Sequence, residues 1–173
     1  DAPRAALDAA RLGMAAWPVD VAVLPKAARR KRLLVADMES TMIENEMLVE
    51  MAEIAGLGPS MAEETERTMR GELDFKASLK ARVKRFKGKP AKLLEEATER
   101  LRPMPGGVTL VATMRAQGAT TALVTGGFTC FAEPVGFAFG FDHIHANHLL
   151  ISRRKLSGEV AEPILGPEEK RAL

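Results

Sequence analysis

Tyrosine is absent from this 173-residue sequence, and tryptophan and cysteine occur once each. The lone cysteine, Cys130, excludes an intramolecular disulfide framework and is compatible with a reducing cytosol. Aromatic residues make up only 5% of the chain, which weakens any reading that needs side chains stacked on bases. No charge of one sign dominates, because 25 Lys and Arg face 23 Asp and Glu. That balance argues against nucleic acid or a membrane surface as the main partner. No apolar run approaches the roughly 18 residues of a membrane span. The N-terminal apolar stretch is short and its basic cluster follows rather than precedes it, so no signal peptide is expected and the reading is cytoplasmic. What is present is a composition of 46% hydrophobic and 28% charged residues, enough to bury a core. The length suits one domain, or one domain with a small appendage. The chain starts at Asp1 without Met and stops at Leu173 just after an apparent helix start, so it reads as a fragment.

Residues 1–31 are expected to form an N-terminal extension or linker. They hold a short helical pattern, then VDVAVL between Pro18 and Pro25, then the basic residues Lys26, Arg29, Arg30 and Lys31, a cluster that continues into Arg32 and is read as a solvated face. The run LLVAD predicts a buried strand ending at Asp37. From Glu44 to about Arg102 the period is helical. Met47, Leu48, Met51, Ile54 and Ala55 share a face that closes at Gly56, and Ser60 with Glu63 makes a capping box for a helix closed by Gly71. Asp74 caps a third helix carrying Phe75, Leu79 and Val83 and ended by Gly88; Pro90 opens a fourth with Leu93, Leu94, Ala97 and Leu101. GGVTLVATMRAQG then predicts a helix ended by Gly118, TTALV a second buried strand, and TGGFTCFAE a glycine turn entering a helix that should end or kink at Pro134 and Gly136. DHIHA predicts a third strand, followed by a hairpin-like pair, HLLISRR and LSGEVAEPIL. Strands separated by helices imply an α/β fold with a mostly parallel sheet and right-handed crossovers. Residues 32–43 and 103–173 would form its core, and 44–102 an inserted helical unit.

In such a sheet ligands bind beyond the carboxyl ends of the strands. Two strand ends carry chemistry: Asp37-Met38-Glu39-Ser40-Thr41, and Thr125-Gly126-Gly127. The first offers a nucleophilic carboxylate beside a second carboxyl group that can move a proton, an arrangement suited to covalent catalysis through an acyl phosphate. In the second, glycines let backbone N–H groups approach an anion, and the Thr125 hydroxyl can donate to a phosphate oxygen. Alone, either motif is as readily a cap or a common turn. His143, His145 and His148 are clustered like ligands, but no acidic or cysteine partner stands at metal-ligand spacing, and a structural role is favoured over zinc. Cys130 reads as a small buried apolar residue.

Taken together, these motifs make the chain resemble the phosphoserine phosphatases of the haloacid dehalogenase superfamily from about Leu33 to Leu173. The likeness lies in VADMESTMIENEMLVEMAEIAG, ETERTMRGELDFKASLKARV, ALVTGGFT and GEVAEPILGPEEK. It implies a haloacid dehalogenase-like core with a helical cap, and hydrolysis of phosphoserine to serine and phosphate through an aspartyl phosphate, the last step of serine biosynthesis. Asp37 would be the nucleophile. Glu39, where the family usually has aspartate, would be the general acid and base, with one methylene too many. Thr125, Gly126 and Lys170 would bind phosphate. Glu46 would pair with the substrate ammonium and Arg82 with its carboxylate, while Met69, Phe75 and Gly127 complete the substrate pocket. Magnesium would be held by the Asp37 carboxylate, by the main-chain carbonyl of Glu39, and by an aspartate of a later G-D-G-x-N-D segment. The sequence ends without that segment, so the expectation is a longer protein or a truncated, largely inactive form. The alternative is a non-catalytic phosphoserine or phosphate binder. The family is often dimeric, which leaves a homodimer open.

Overall fold

The computed structural model describes residues 2–24, 26, 27, 29–57 and 60–172, and the side chains of all of these except 2, 3, 60, 62 and 69. The expected capping box at Ser60 and the pocket role of Met69 therefore lie outside the described side chains. Contacts divide the chain into two compact units, 1–31 and 32–173. The first holds helix α1 (Ala2–Met14), with Leu12 exposed, and an irregular segment with Trp17 and Leu24 exposed. Its basic residues Lys26, Arg29, Arg30 and Lys31 are exposed.

The second unit is α/β. Strand β1 (Leu33–Ala36) is followed by helices α2 (Met47–Ile54), α3 (Ser60–Met69), α4 (Phe75–Lys84), α5 (Lys92–Thr98) and α6 (Gly107–Ala116). Then come β2 (Thr120–Phe128), α7 (Thr129–Phe139), β3 (His143–Asn147), β4 (Leu149–Ser152), β5 (Lys155–Val160) and α8 (Pro167–Ala172). Strands β1, β2 and β3 pair in parallel in that order, with Val35 beside Ala122 and Ala122 beside His143. Strands β4 and β5 form an antiparallel hairpin whose turn residues, Arg153 and Arg154, both take positive φ. Met38, Ile43, Met47, Met51, Phe86, Leu123, Phe128 and Phe131 are almost fully buried, so core and helical insertion share one apolar cluster. The cap of α4 is as expected: Asp74 Oδ2 accepts from the Ala77 amide at 2.7 Å, and Gly71 and Gly88, flanking this helical segment, take positive φ.

Four local expectations are corrected. Strand β1 is half-buried rather than buried, for Leu33 and Val35 are more than half exposed while Ala36 turns inward. Thr125-Gly126-Gly127 does not open a helix. The strand β2 runs on through it to Phe128, which pairs with Asn147 after a register shift, and α7 starts only at Thr129. Asn147 holds this irregular end by donating to the carbonyls of Gly126 and Leu165 at 2.9 and 3.2 Å and accepting from the Leu165 amide at 2.7 Å. Helix α7 passes through Pro134 and closes at Gly140, in the left-handed region. Gly136 serves packing instead, because a Cβ there would lie 2.3 Å from Ile144 Cδ1. Pro90 stands two residues before α5, in a tight turn closed by Leu93 N–H to Pro90 O at 3.1 Å, and bridges to Lys155.

Candidate active site

The turn after β1 is tight. The Met38 carbonyl accepts from the amides of Thr41, Met42 and Ile43, and Ser40 adopts φ of 53°. This folds Glu39 back over the sheet end, beside Asp37. The Asp37 carboxylate accepts from the Met38 amide at 2.9 Å through Oδ1, while Oδ2 lies 3.1 Å from the Lys170 ammonium, delivered by α8. Glu39 Oε1 accepts at 2.9 Å from the amide of Met47, the first residue of α2. Its other oxygen lies over the strand end, 3.0 Å from where a Cβ on Gly127 would stand. Burial pushes the Glu39 pKa up to about 7, and the charges of Glu46 and Asp37 add to that rise. Glu46 also rises through burial; its Oε1 accepts from the Ser40 hydroxyl at 2.8 Å.

Thr125 is almost wholly buried, and its Oγ1 accepts from the Gly127 amide at 2.9 Å, which leaves the hydroxyl hydrogen for another acceptor. The Gly127 amide is therefore spent inside the loop. Across the pocket, α4 brings two residues. The ring of Phe75 packs on Gly126, where a Cβ would stand 2.8 Å from it, and on Gly166. Arg82 is 5% exposed, and its Nη1 donates to Thr65 Oγ1 at 2.8 Å. Burial lowers its pKa. Its Nε is buried without a hydrogen-bond partner.

These groups meet around one pocket of about 90 Å³, lined by Asp37, Glu39, Glu46, Phe75, Arg82, Thr125, Gly126, Gly127 and Lys170 together with Leu48, Thr65, Thr68 and Leu79. Every expected site residue with a described side chain is thus brought to one place. Thr65, Thr68, Leu48 and Leu79 were missed by sequence reasoning. Helical periodicity marks Leu48 and Leu79 as apolar but not as pocket walls, and nothing in a helical threonine signals an arginine 17 residues on. The histidines lie elsewhere: His143 and His145 are exposed on β3, and His148 Nδ1 lies 3.1 Å from Thr129 Oγ1. Cys130 is half-buried, and burial raises its thiol to about 12, which keeps it protonated. Among the described residues no three His, Cys, Asp or Glu side chains are grouped to hold a metal. None of the described helices is long and apolar enough to cross a membrane.

Known proteins place this geometry. A phosphoserine phosphatase of Archaeoglobus fulgidus is 36% identical over 165 residues, 94% of this chain and 46% of that protein. One from Vibrio cholerae is 41% identical over 138 residues, covering 80% and 42%, and one from Methanocaldococcus jannaschii 31% over 142 residues, covering 82% and 67%. The chain thus spans less than half the length of the first two. Among solved structures, a substrate-bound phosphoserine phosphatase complex superposes with a TM-score of 0.75 at 31% identity over 79% of this chain and 65% of that one. A hydrolase of the same superfamily from Salmonella enterica gives 0.83 at 26% identity over 96% and 57%. With residues 34–173 matching the family profile over its strand-end acids and its pocket, the chain belongs to the haloacid dehalogenase-like hydrolases.

Proposed function

We propose that this chain carries most of the catalytic unit of a phosphoserine phosphatase, with residues 44–102 acting as the cap over the core. The single observation that carries the reading is the pocket's polarity. A Lys170–Asp37 pair stands at a strand end, and a buried arginine with an unpaired donor stands opposite, beside Glu46. A ligand complementary to that pocket has a phosphate at one end and a carboxylate and an ammonium at the other.

In the reaction, an oxygen of Asp37 attacks phosphorus, forming an acyl phosphate as the ester P–O bond breaks, and Glu39 gives its proton to the departing serine oxygen. Its raised pKa keeps a substantial protonated fraction near neutral pH. Water then attacks phosphorus, Glu39 takes the water's proton, and the Asp37 carboxylate is released. Lys170 and the Thr125 hydroxyl offset charge on the phosphoryl oxygens. Phe75 and Leu79 exclude water from the substrate. The Asp37 carboxylate and the Glu39 carbonyl are hard oxygen donors of the kind magnesium takes, and they would supply part of its shell beside the aspartate of the later segment. That ion, when bound, would neutralise phosphoryl charge. The family habit of a cytoplasmic homodimer belongs to the same proposal.

Phosphate release from O-phosphoserine by the full-length protein, with magnesium and with chelator, tests the reading. The expected result is release that chelator abolishes. Tight binding without release would favour a non-catalytic binder.

A further inference from the structure

Arg82 is held in an unusual way. It is a buried cation with no ion pair among the described residues, and the charges that act on it most, those of Glu64, Glu39 and Glu46, do so without bonding it. Its one hydrogen bond runs from Nη1 to Thr65 Oγ1 at 2.8 Å. Thr65 is itself 7% exposed and stands on α3, so the bond joins two helices in a dry setting. The Thr65 hydroxyl has only one hydrogen, and the geometry gives that hydrogen to the Met61 carbonyl one turn earlier, at 2.9 Å. The oxygen therefore faces Arg82 with a lone pair. A neutral acceptor here fixes the guanidinium without cancelling its charge. It also takes up one Nη1 hydrogen and fixes the plane of the guanidinium, while Nε stays buried and unpaired, so the fork keeps donors that the protein does not use.

We infer that Thr65 is a positioning residue for substrate recognition: it orients the Arg82 guanidinium in the pocket wall so that its unused donors can receive a ligand carboxylate. The inference rests on the assignment of Arg82 to the substrate carboxylate and adds what sets its orientation. A carboxylate at this position would have done the opposite, pairing with the arginine and competing with the ligand. A valine would leave Nη1 buried and without its acceptor.

The test is a comparison of two ligands, O-phosphoserine and O-phosphoethanolamine, which lacks the carboxylate. Affinity is read by calorimetry with magnesium in an Asp37→Asn background, where no phosphoryl transfer intervenes. The parent should prefer phosphoserine. Thr65→Val should weaken phosphoserine roughly tenfold or more, the scale of a hydrogen bond to a charged group, and change phosphoethanolamine less than about threefold on that same scale. Thr65→Ser, which keeps the oxygen, should restore the preference, and Thr65→Ala replaces valine if valine prevents folding. Equal losses for both ligands, or a preference that Thr65→Val leaves intact, would overturn the role of Thr65 alone. No preference in the parent would overturn the carboxylate assignment and this inference with it.

Discussion

At one end of the pocket Asp37 and Lys170 stand on a strand end and a short terminal helix, 44% and 27% exposed, with their charges already paired 3.1 Å apart. At the other end Arg82 sits inside a helix, 5% exposed, touching one neutral hydroxyl and keeping a donor unpaired. The contrast separates two tasks. Where bonds are made and broken, Asp37 and Lys170 already balance each other's charge, so their partial exposure costs little. Where a ligand is only recognised, a dry cation with an unfilled bond gains most when the right anion arrives, because desolvation has been met in folding.

Substitutions at the two ends should therefore fail differently. The largest effect is expected for Asp37→Asn, which removes the nucleophile: phosphate release should fall by roughly a thousandfold or more, with affinity for phosphoserine far less affected. Rates and calorimetric affinities on the same preparation check this. Arg82→Ala should act mainly on KM, raising it on the order of a hundredfold for phosphoserine while sparing phosphoethanolamine. Comparable losses for both ligands would erase the distinction between the ends. Glu39→Asp should hold or raise turnover, because the shorter side chain returns the carboxyl group to the family's usual reach, where about 1 Å can be worth roughly a hundredfold. A fall in kcat would show that the longer acid fits its site.

The smallest effect concerns stability. Glu39 has a folded-state pKa raised from 4.5 to about 7, so the folded chain holds that proton more tightly than the unfolded one. Stability is therefore lost as pH rises from 4.5 through about 7. Glu39→Gln cannot lose the proton. Its melting temperature should exceed that of the parent by a few degrees at pH 8 and converge with it near pH 4. Parallel curves for the two proteins would remove the burial account.

Much of this arrangement was legible in the residues. Helical spacing at Met47, Leu48 and Met51, the cap at Asp74 and the strand-end acids follow from local periodicity and side-chain chemistry. Thr125-Gly126-Gly127 reads as a helix entry because glycines in sequence look alike whether they open a turn or bulge a strand. Only pairing with Asn147, 19 residues from Phe128, decides between them. Pro134 and Gly136 suggest an end or a kink, yet the helix runs on to Phe139, because packing that the sequence does not reveal carries it past a missing amide. Thr65 left no trace for a similar reason: its partner lies on another helix.

Trp17 is 67% exposed and lies in the unit 1–31, while the chain has no second tryptophan and no tyrosine. Intrinsic tryptophan fluorescence therefore comes from the N-terminal unit. The stability comparison is therefore better read by circular dichroism, which follows the helices of the second unit directly. The same scarcity is an opportunity, since a tryptophan introduced at Phe75, in a Trp17→Phe background, would light up the site with no competing signal.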